Sequence, residues 1–200
     1  MGTRGLRNAA IFTFFVSMAI LLLGGYFAKD QVPPIPEKVA SGSNVLTTSA
    51  AILRGQDVYQ RYGLMDHGSV WGHGSLRGMD FSAHTLHCVG FLVKQYHRAE
   101  GKPSGDAFQT LPPQPRKALD ARDAVVIKEI RTNRYNEAAE TLELTPAQAY
   151  AFEQMRKYWD REFDRGDARY GFLENTIPTD RERHDLADFF FWTAWAAGAK

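Results

Sequence analysis

The hydrophobic and polar positions fall into three regimes along the chain. From Ala9 to Ala28 (AAIFTFFVSMAILLLGGYFA) no residue is charged, and about twenty such residues at ~1.5 Å rise span the ~30 Å hydrocarbon core of a bilayer. This predicts a transmembrane helix, with residues 1–29 as an anchor in the lipid bilayer. A signal peptide is the rival reading, but cleavage wants small residues at its last and third-last positions. Tyr26 occupies the third-last position ahead of Lys29, so a retained anchor is preferred. Residues 30–45 read as a Pro-rich linker: Pro33, Pro34 and Pro36 fix φ and remove amide donors, which favours a stiff, extended spacer.

From residue 46 to 185 the period changes to that of amphipathic helices. Ala51, Ile52, Gly55, Val58, Tyr59 and Tyr62 recur at steps of three and four, predicting a helix from Thr48 to Tyr62 that stops at Gly63. A Gly-rich loop from Gly63 to Gly78 follows, and then a helix capped by Asp80 or Ser82 and running to about Arg98. After a loop over Gly101–Gln114, Pro115 suits the first turn of a helix reaching Arg131, with Leu119, Val125, Val126 and Ile130 as its apolar stripe. Thr145–Gln148 and Thr179–Glu182 form two capping boxes, each ahead of an aromatic-rich helical pattern. Thr141–Leu144 is compatible with a short strand, although four residues do not decide it. The soluble part reads as all-α.

The third regime is Leu186–Ala199 (LADFFFWTAWAAGA), in which Asp188 is followed by eleven uncharged residues, five of them aromatic. It is too short to cross a bilayer. Residues 186–200 are therefore either the closing helix of the domain or the start of a membrane-directed helix, where Trp192 and Trp195 would suit the aromatic belt.

Charge refines the picture. The first 28 residues carry Arg4 and Arg7 and no acid, leaving 22 basic against 23 acidic side chains for the remainder of a chain with formal net charge +1. By the positive-inside rule the N-terminus is cytoplasmic and everything after Lys29 lies outside, which in a bacterium is the periplasmic face of the inner membrane. The near-neutral balance and the lack of a basic run interleaved with aromatics exclude a nucleic-acid partner. Cys88 is the single cysteine, so an internal disulfide, a four-Cys zinc site and a Cys-held iron–sulfur cluster are all excluded.

Candidate chemistry is sparse. The chain has no Gly-x-Ser-x-Gly elbow, no phosphate-cradling loop and no helical His-Glu-x-x-His. His84 and His87 lie three apart on one helical face, and His67 or His73 could join them as metal ligands, but no acid or Cys completes a known spacing. His97 and His184 read as solvated among charged neighbours. Asp160 and Asp164 fall among Arg156, Lys157, Arg161 and Arg165, a salt-bridged and solvated helix face.

The spacing Gly55-x-x-Val58-Tyr59-x-x-x-Gly63-x-x-Asp66-His67-Gly68 resembles the opening of a cytochrome c domain, in which an amphipathic helix runs into Cys-x-x-Cys-His-Gly. The His and Gly of that motif are present, while Gly63 and Asp66 stand where its thiols would be. Covalent haem attachment is impossible here, and His67 sits at the position of a lost haem ligand.

The densest feature is Gly68-Ser-Val-Trp-Gly-His-Gly-Ser followed by Asp80-Phe-Ser-Ala83. With these stretches, and with Asn175–Pro178 and Phe189–Trp195, essentially the whole chain resembles the N-terminal region of the quinol-dependent nitric oxide reductases of the haem-copper oxidase superfamily. The resemblance implies an anchor helix and an all-α, cytochrome c-like domain without haem. It further implies a membrane-embedded catalytic core, holding haem b, haem b3 and non-haem iron, that reduces nitric oxide to nitrous oxide with quinol electrons. None of that core's ligands maps onto these residues, so no catalytic residue is expected in this chain. Trp71, His73, Arg77 and Asp80 are the candidates for a loop that docks on the core. The family's Gly-His-Gly-Ala-Tyr pattern reads Gly72-His-Gly-Ser-Leu here. Two rivals remain: a free-standing anchored scaffold, and a tethered electron carrier holding haem non-covalently.

Overall fold

The structure is a computed structural model that describes residues 3–29, 32–75, 77–101, 103, 123–168 and 170–199. The chain divides into two compact units, residues 1–34 and 35–200. The first holds helix α1 (Thr3–Lys29), none of whose residues is buried. Its 27 residues reach about 40 Å at 1.5 Å per residue, enough to cross a bilayer with some tilt.

In the second unit, strands β1 (Lys38–Ser41) and β2 (Asn44–Thr48) lead into α2 (Ser49–Arg61). A 3-10 turn (Leu64–Asp66) and the two-residue strands β3 (Ser69–Val70) and β4 (His73–Gly74) follow. Next come α3 (Phe81–Arg98) and α4 (Ala124–Arg131). Strands β5 (Tyr135–Asn136) and β6 (Thr141–Glu143) precede α5 (Pro146–Arg165) and α6 (Asp180–Gly198). The helical expectation holds, and beside the β3–β4 hairpin there is one larger addition: a small four-stranded sheet of order β2-β1-β6-β5, in which β1 and β6 run parallel.

That addition moves the domain boundary. Residues 38–45, read from sequence as linker, belong to the sheet, where Val39 lies opposite Leu142 in the β1–β6 register and both are buried. The prolines end at Pro36, and the β-branched and small residues behind them pair rather than extend. Of the helix expected from Pro115, α4 accounts for Ala124–Arg131; its earlier residues lie outside the described residues.

Both predicted N-caps form, and the first closes into the full capping box. The Thr145 hydroxyl accepts from the Gln148 amide while the Gln148 side chain accepts from the Thr145 amide, and the Thr179 hydroxyl accepts from the Glu182 amide.

Helix α6 is the central element. It packs on α2, α3 and α5, and residues 185–194 are buried without interruption. Its all-round apolar pattern over these residues is met by burial in the domain. Trp192 stacks on Phe189 at 6.0 Å. At the α2–α6 crossing Gly55 lets the backbones touch, since a Cβ there would lie 2.0 Å from the Asp185 carbonyl oxygen. Glycine is required at such a close approach.

Ion pairs with partners on separate elements lock α6 in place. Asp185 accepts two bonds from Arg54 (2.7 and 2.9 Å), and Asp188 accepts two from Arg156 (both 2.7 Å) and one from the Thr47 hydroxyl (2.5 Å). Arg183, buried, donates to Asp160 (2.7 Å), Asp180 (2.5 Å) and the Ile177 carbonyl (2.8 Å). Asp160 and Asp164 therefore face α6: Arg183 reaches Asp160 directly and lies 3.8 Å from Asp164. The expected solvated face of α5 is partly a helix–helix contact.

Candidate functional site

The Gly-rich loop is built outward from Asp80. As N-cap of α3 its carboxylate accepts from the Ala83 amide (2.8 Å) through Oδ1. Through Oδ2 it accepts from the Gly72 amide (2.7 Å) and the Ser69 hydroxyl (2.8 Å). One carboxylate thus starts a helix and pins both ends of the β3–β4 hairpin. Asp80, and not Ser82, is the cap; the Ser82 hydroxyl accepts from the Trp71 amide at 3.3 Å. Below the hairpin the chain doubles back so tightly that a Cβ on Gly78 would sit 1.8 Å from the His67 carbonyl oxygen.

The hairpin turn is Trp71–Gly72, with φ of 54° and 76°. Two successive positive φ values match the type I′ geometry of two-residue hairpins, which Asn-Gly ordinarily fills. An indole side chain in this region costs about 1–3 kcal/mol and persists only where the surroundings enforce it. The enforcing contacts are a 2.8 Å hydrogen bond from the Trp71 indole N–H to the Thr193 carbonyl and ring packing on Trp192 at 5.4 Å. Trp71 is still 40% exposed, so part of the indole faces outward. His73 and Arg77 are exposed on the same loop. Of the four candidate residues, then, Trp71 and Asp80 are tied together through the Gly72 amide, while His73 and Arg77 decorate the rim. Trp192 and Thr193, which seat the indole, were missed as site residues because they are 121 and 122 positions away in a segment whose apolar run had several readings.

His67 ends the 3-10 turn, and its ring lies 5.6 Å from that of Phe172. Phe172 in turn packs on Phe163 at 4.9 Å and Phe81 at 6.2 Å, and Phe81 stacks on Phe190 at 4.6 Å. Phenyl rings occupy the interior on the His67 side. Gly63 and Asp66 ahead of His67 offer no thiol, so these residues do not fit a covalently tethered porphyrin.

The other histidines do not converge. His84 is buried, its Nε2 lying 3.0 Å from the Tyr158 hydroxyl and 3.6 Å from Cys88 Sγ. His87 is half-buried, and burial lowers its pKa below the ordinary value. His73 is exposed and His67 is turned to Phe172. Among the described residues no group of three or more His, Cys, Asp and Glu side chains is placed to hold a metal ion. Cys88 is buried, and its thiol is pushed up to about 12 by desolvation and by the nearby Glu162 carboxylate; such a thiol is inert. His97, expected to be solvated, is half-exposed and paired with Glu129 at 2.6 Å, while His184 is exposed as expected.

No curated protein matches the chain. A family match extends over residues 36–200, which is nearly all of the second unit, and the family is the NorB cytochrome c-like domain of nitric oxide reductase. The helical fold with its α2–α6 crossing, the His67-Gly68 pair behind α2 and the extent of that match lead to one conclusion: the chain belongs to the NorB cytochrome c-like domain family of the nitric oxide reductases.

Proposed function

We propose that this chain is the haem-less, extracytoplasmic docking part of a quinol-dependent nitric oxide reductase. The anchor helix sits in the inner membrane with Arg4 and Arg7 on the cytoplasmic side, and the domain lies in the periplasm. Its partner is the membrane-embedded core, where haem b, haem b3 and non-haem iron carry electrons from quinol to nitric oxide. The observation that carries the reading is the strained Trp71, held at the tip of a rigid hairpin with part of its indole exposed. Strain of this kind concentrates at functional sites, and a large, pre-oriented aromatic is the residue type that anchors protein interfaces. Phenyl packing beside His67 supports the haem-less assignment.

Two outcomes follow. The purified full chain, expressed in cells that make c-type and b-type haems, shows no Soret band and no pyridine haemochrome; an iron porphyrin retained through purification would overturn the haem-less assignment. In the complete enzyme, Trp71→Ala lowers quinol oxidation and weakens assembly of the domain with the core. Trp71→Phe, which keeps a ring, loses less. If Trp71→Ala leaves both assembly and turnover at the parent level, the docking role is lost.

A further inference from the structure

The rings that fill the interior also connect its surface to a buried tyrosine–histidine pair. Starting at exposed Trp71, successive centroid separations are 5.4 Å to Trp192, 6.0 Å to Phe189, 5.9 Å to Phe190, 5.0 Å to Trp159 and 4.9 Å to Tyr158. All fall within the contact range of aromatic pairs, ~4.5–7 Å. Three of the members are indoles and one is a phenol, the side chains most readily oxidised by one electron. Two of the indoles hold an acceptor on their N–H, Trp71 the Thr193 carbonyl (2.8 Å) and Trp159 the Thr85 hydroxyl (3.2 Å), which stabilises an indole cation radical.

The path has a definite end. A tyrosine yields a stable neutral radical only if its hydroxyl proton has somewhere to go. Tyr59, in ring contact with Phe189 at 5.8 Å, has a buried hydroxyl with no hydrogen-bond partner among the described residues, so it serves as packing and not as a sink. Tyr158 is different: its hydroxyl lies 3.0 Å from His84 Nε2 inside the core.

We propose that Trp71, Trp192, Trp159 and Tyr158 form a conduit for single-electron oxidising equivalents, with the Tyr158–His84 pair as its sink. The oxidant belongs to the class of strong one-electron oxidants, of which nitrogen dioxide, formed where nitric oxide meets dioxygen, is a member. Nitrogen dioxide takes one electron from the Trp71 indole and leaves as nitrite. An electron from Tyr158 refills the indole by way of Trp159 and Trp192. The Tyr158 O–H bond breaks as its proton passes to His84 Nε2, leaving a neutral tyrosyl radical beside an imidazolium. This removes a damaging oxidant at the surface and stores the hole away from solvent. The inference concerns the domain as it stands without the core, with Trp71 40% exposed, and its test uses this chain alone, so it and the docking role fail by different measurements.

The test places a photo-oxidant at the outer end. In the full chain in detergent, His73→Cys is labelled with a ruthenium polypyridyl; Cys88 does not compete, being buried with its thiol pushed up to about 12. Flash oxidation to ruthenium(III) followed by freeze-quench electron paramagnetic resonance reads the radical. The expected result is a tyrosyl signal that disappears in Tyr158→Phe, is slower to form in Trp71→Phe and in Trp192→Phe, and forms more slowly in heavy water because a proton moves. Circular dichroism on each variant confirms the fold. A tyrosyl signal that survives Tyr158→Phe, a rate unchanged in both tryptophan variants, or a labelled parent that gives no tyrosyl radical overturns the proposal.

Discussion

Gly55→Ala is expected to destabilise the domain by about 3 kcal/mol, with the sign opposite to that seen at an ordinary helix position. Alanine in place of glycine within a helix normally gains about 1 kcal/mol through reduced backbone entropy. Here the added atom is the problem: a Cβ on Gly55 would lie 2.0 Å from the Asp185 carbonyl oxygen and 2.8 Å from Phe189 Cβ. Backbone is on the far side of the contact, so no side-chain rotation relieves it, and α6 must move away from α2. Such a movement disturbs the site as well, because Phe189 packs on Trp192 and Thr193 accepts the Trp71 indole N–H. For a domain of this size the melting temperature falls by about 10 °C. Thermal melts of the full chain in detergent, followed by circular dichroism, check it; an unchanged or raised midpoint would mean that α2 and α6 do not touch at this residue.

Asp188→Ala is expected to cost about 3 kcal/mol, the lower end for breaking a buried ion pair, since Arg156 keeps partial access to water. Asp188 is 1% exposed as a side chain against 24% for Arg156. Its loss leaves the guanidinium without its bidentate partner and the Thr47 hydroxyl without an acceptor. The pair itself adds little to stability. Burial pushes the Asp188 carboxyl above the ordinary carboxylate range, and the bonds from Arg156 and Thr47 recover only part of that penalty. A carboxyl raised in the folded state binds its proton more tightly there than in the unfolded chain. Between the ordinary carboxylate value and the raised one, its contribution therefore declines as pH rises. Asp188→Asn flattens that slope, and the double replacement Arg156→Met with Asp188→Leu recovers most of the stability lost in Asp188→Ala. Chemical denaturation of the four proteins across pH checks both statements. A double variant no more stable than Asp188→Ala would show that the pair contributes net stability.

Several elements were legible in the sequence because their signals are local. The cap of α5 lies in Thr145 and Gln148, the stop of α2 in Gly63, the start of α3 in Asp80, and each acts within four residues of itself. The long apolar helix α1 was legible for the same reason, as a contiguous uncharged run. The sheet was not. Its strands have two to five residues, and β1 meets β6 across about a hundred residues of chain, so their pairing leaves no periodic trace.

The candidate site divides along the same line. Its glycines, Trp71 and Asp80 stand out as a dense run, and the missing thiols around His67 are read directly from the letters. That Trp71 takes a left-handed turn, and that Thr193 and Trp192 hold it there, depends on bringing α6 against the hairpin.

Sequence alone determined the long apolar N-terminal helix, the helical character, the impossibility of thioether-bound haem and the resemblance to the reductase family, since each is encoded in neighbouring residues or in a motif. Tertiary structure alone decided that Phe189–Ala194 is buried against the domain's other helices, that phenyl rings fill the interior beside His67, and that Tyr158 meets His84. An apolar run carries the same letters whether lipid or protein surrounds it, and only the α2, α3 and α5 surfaces packed on α6 distinguish the two.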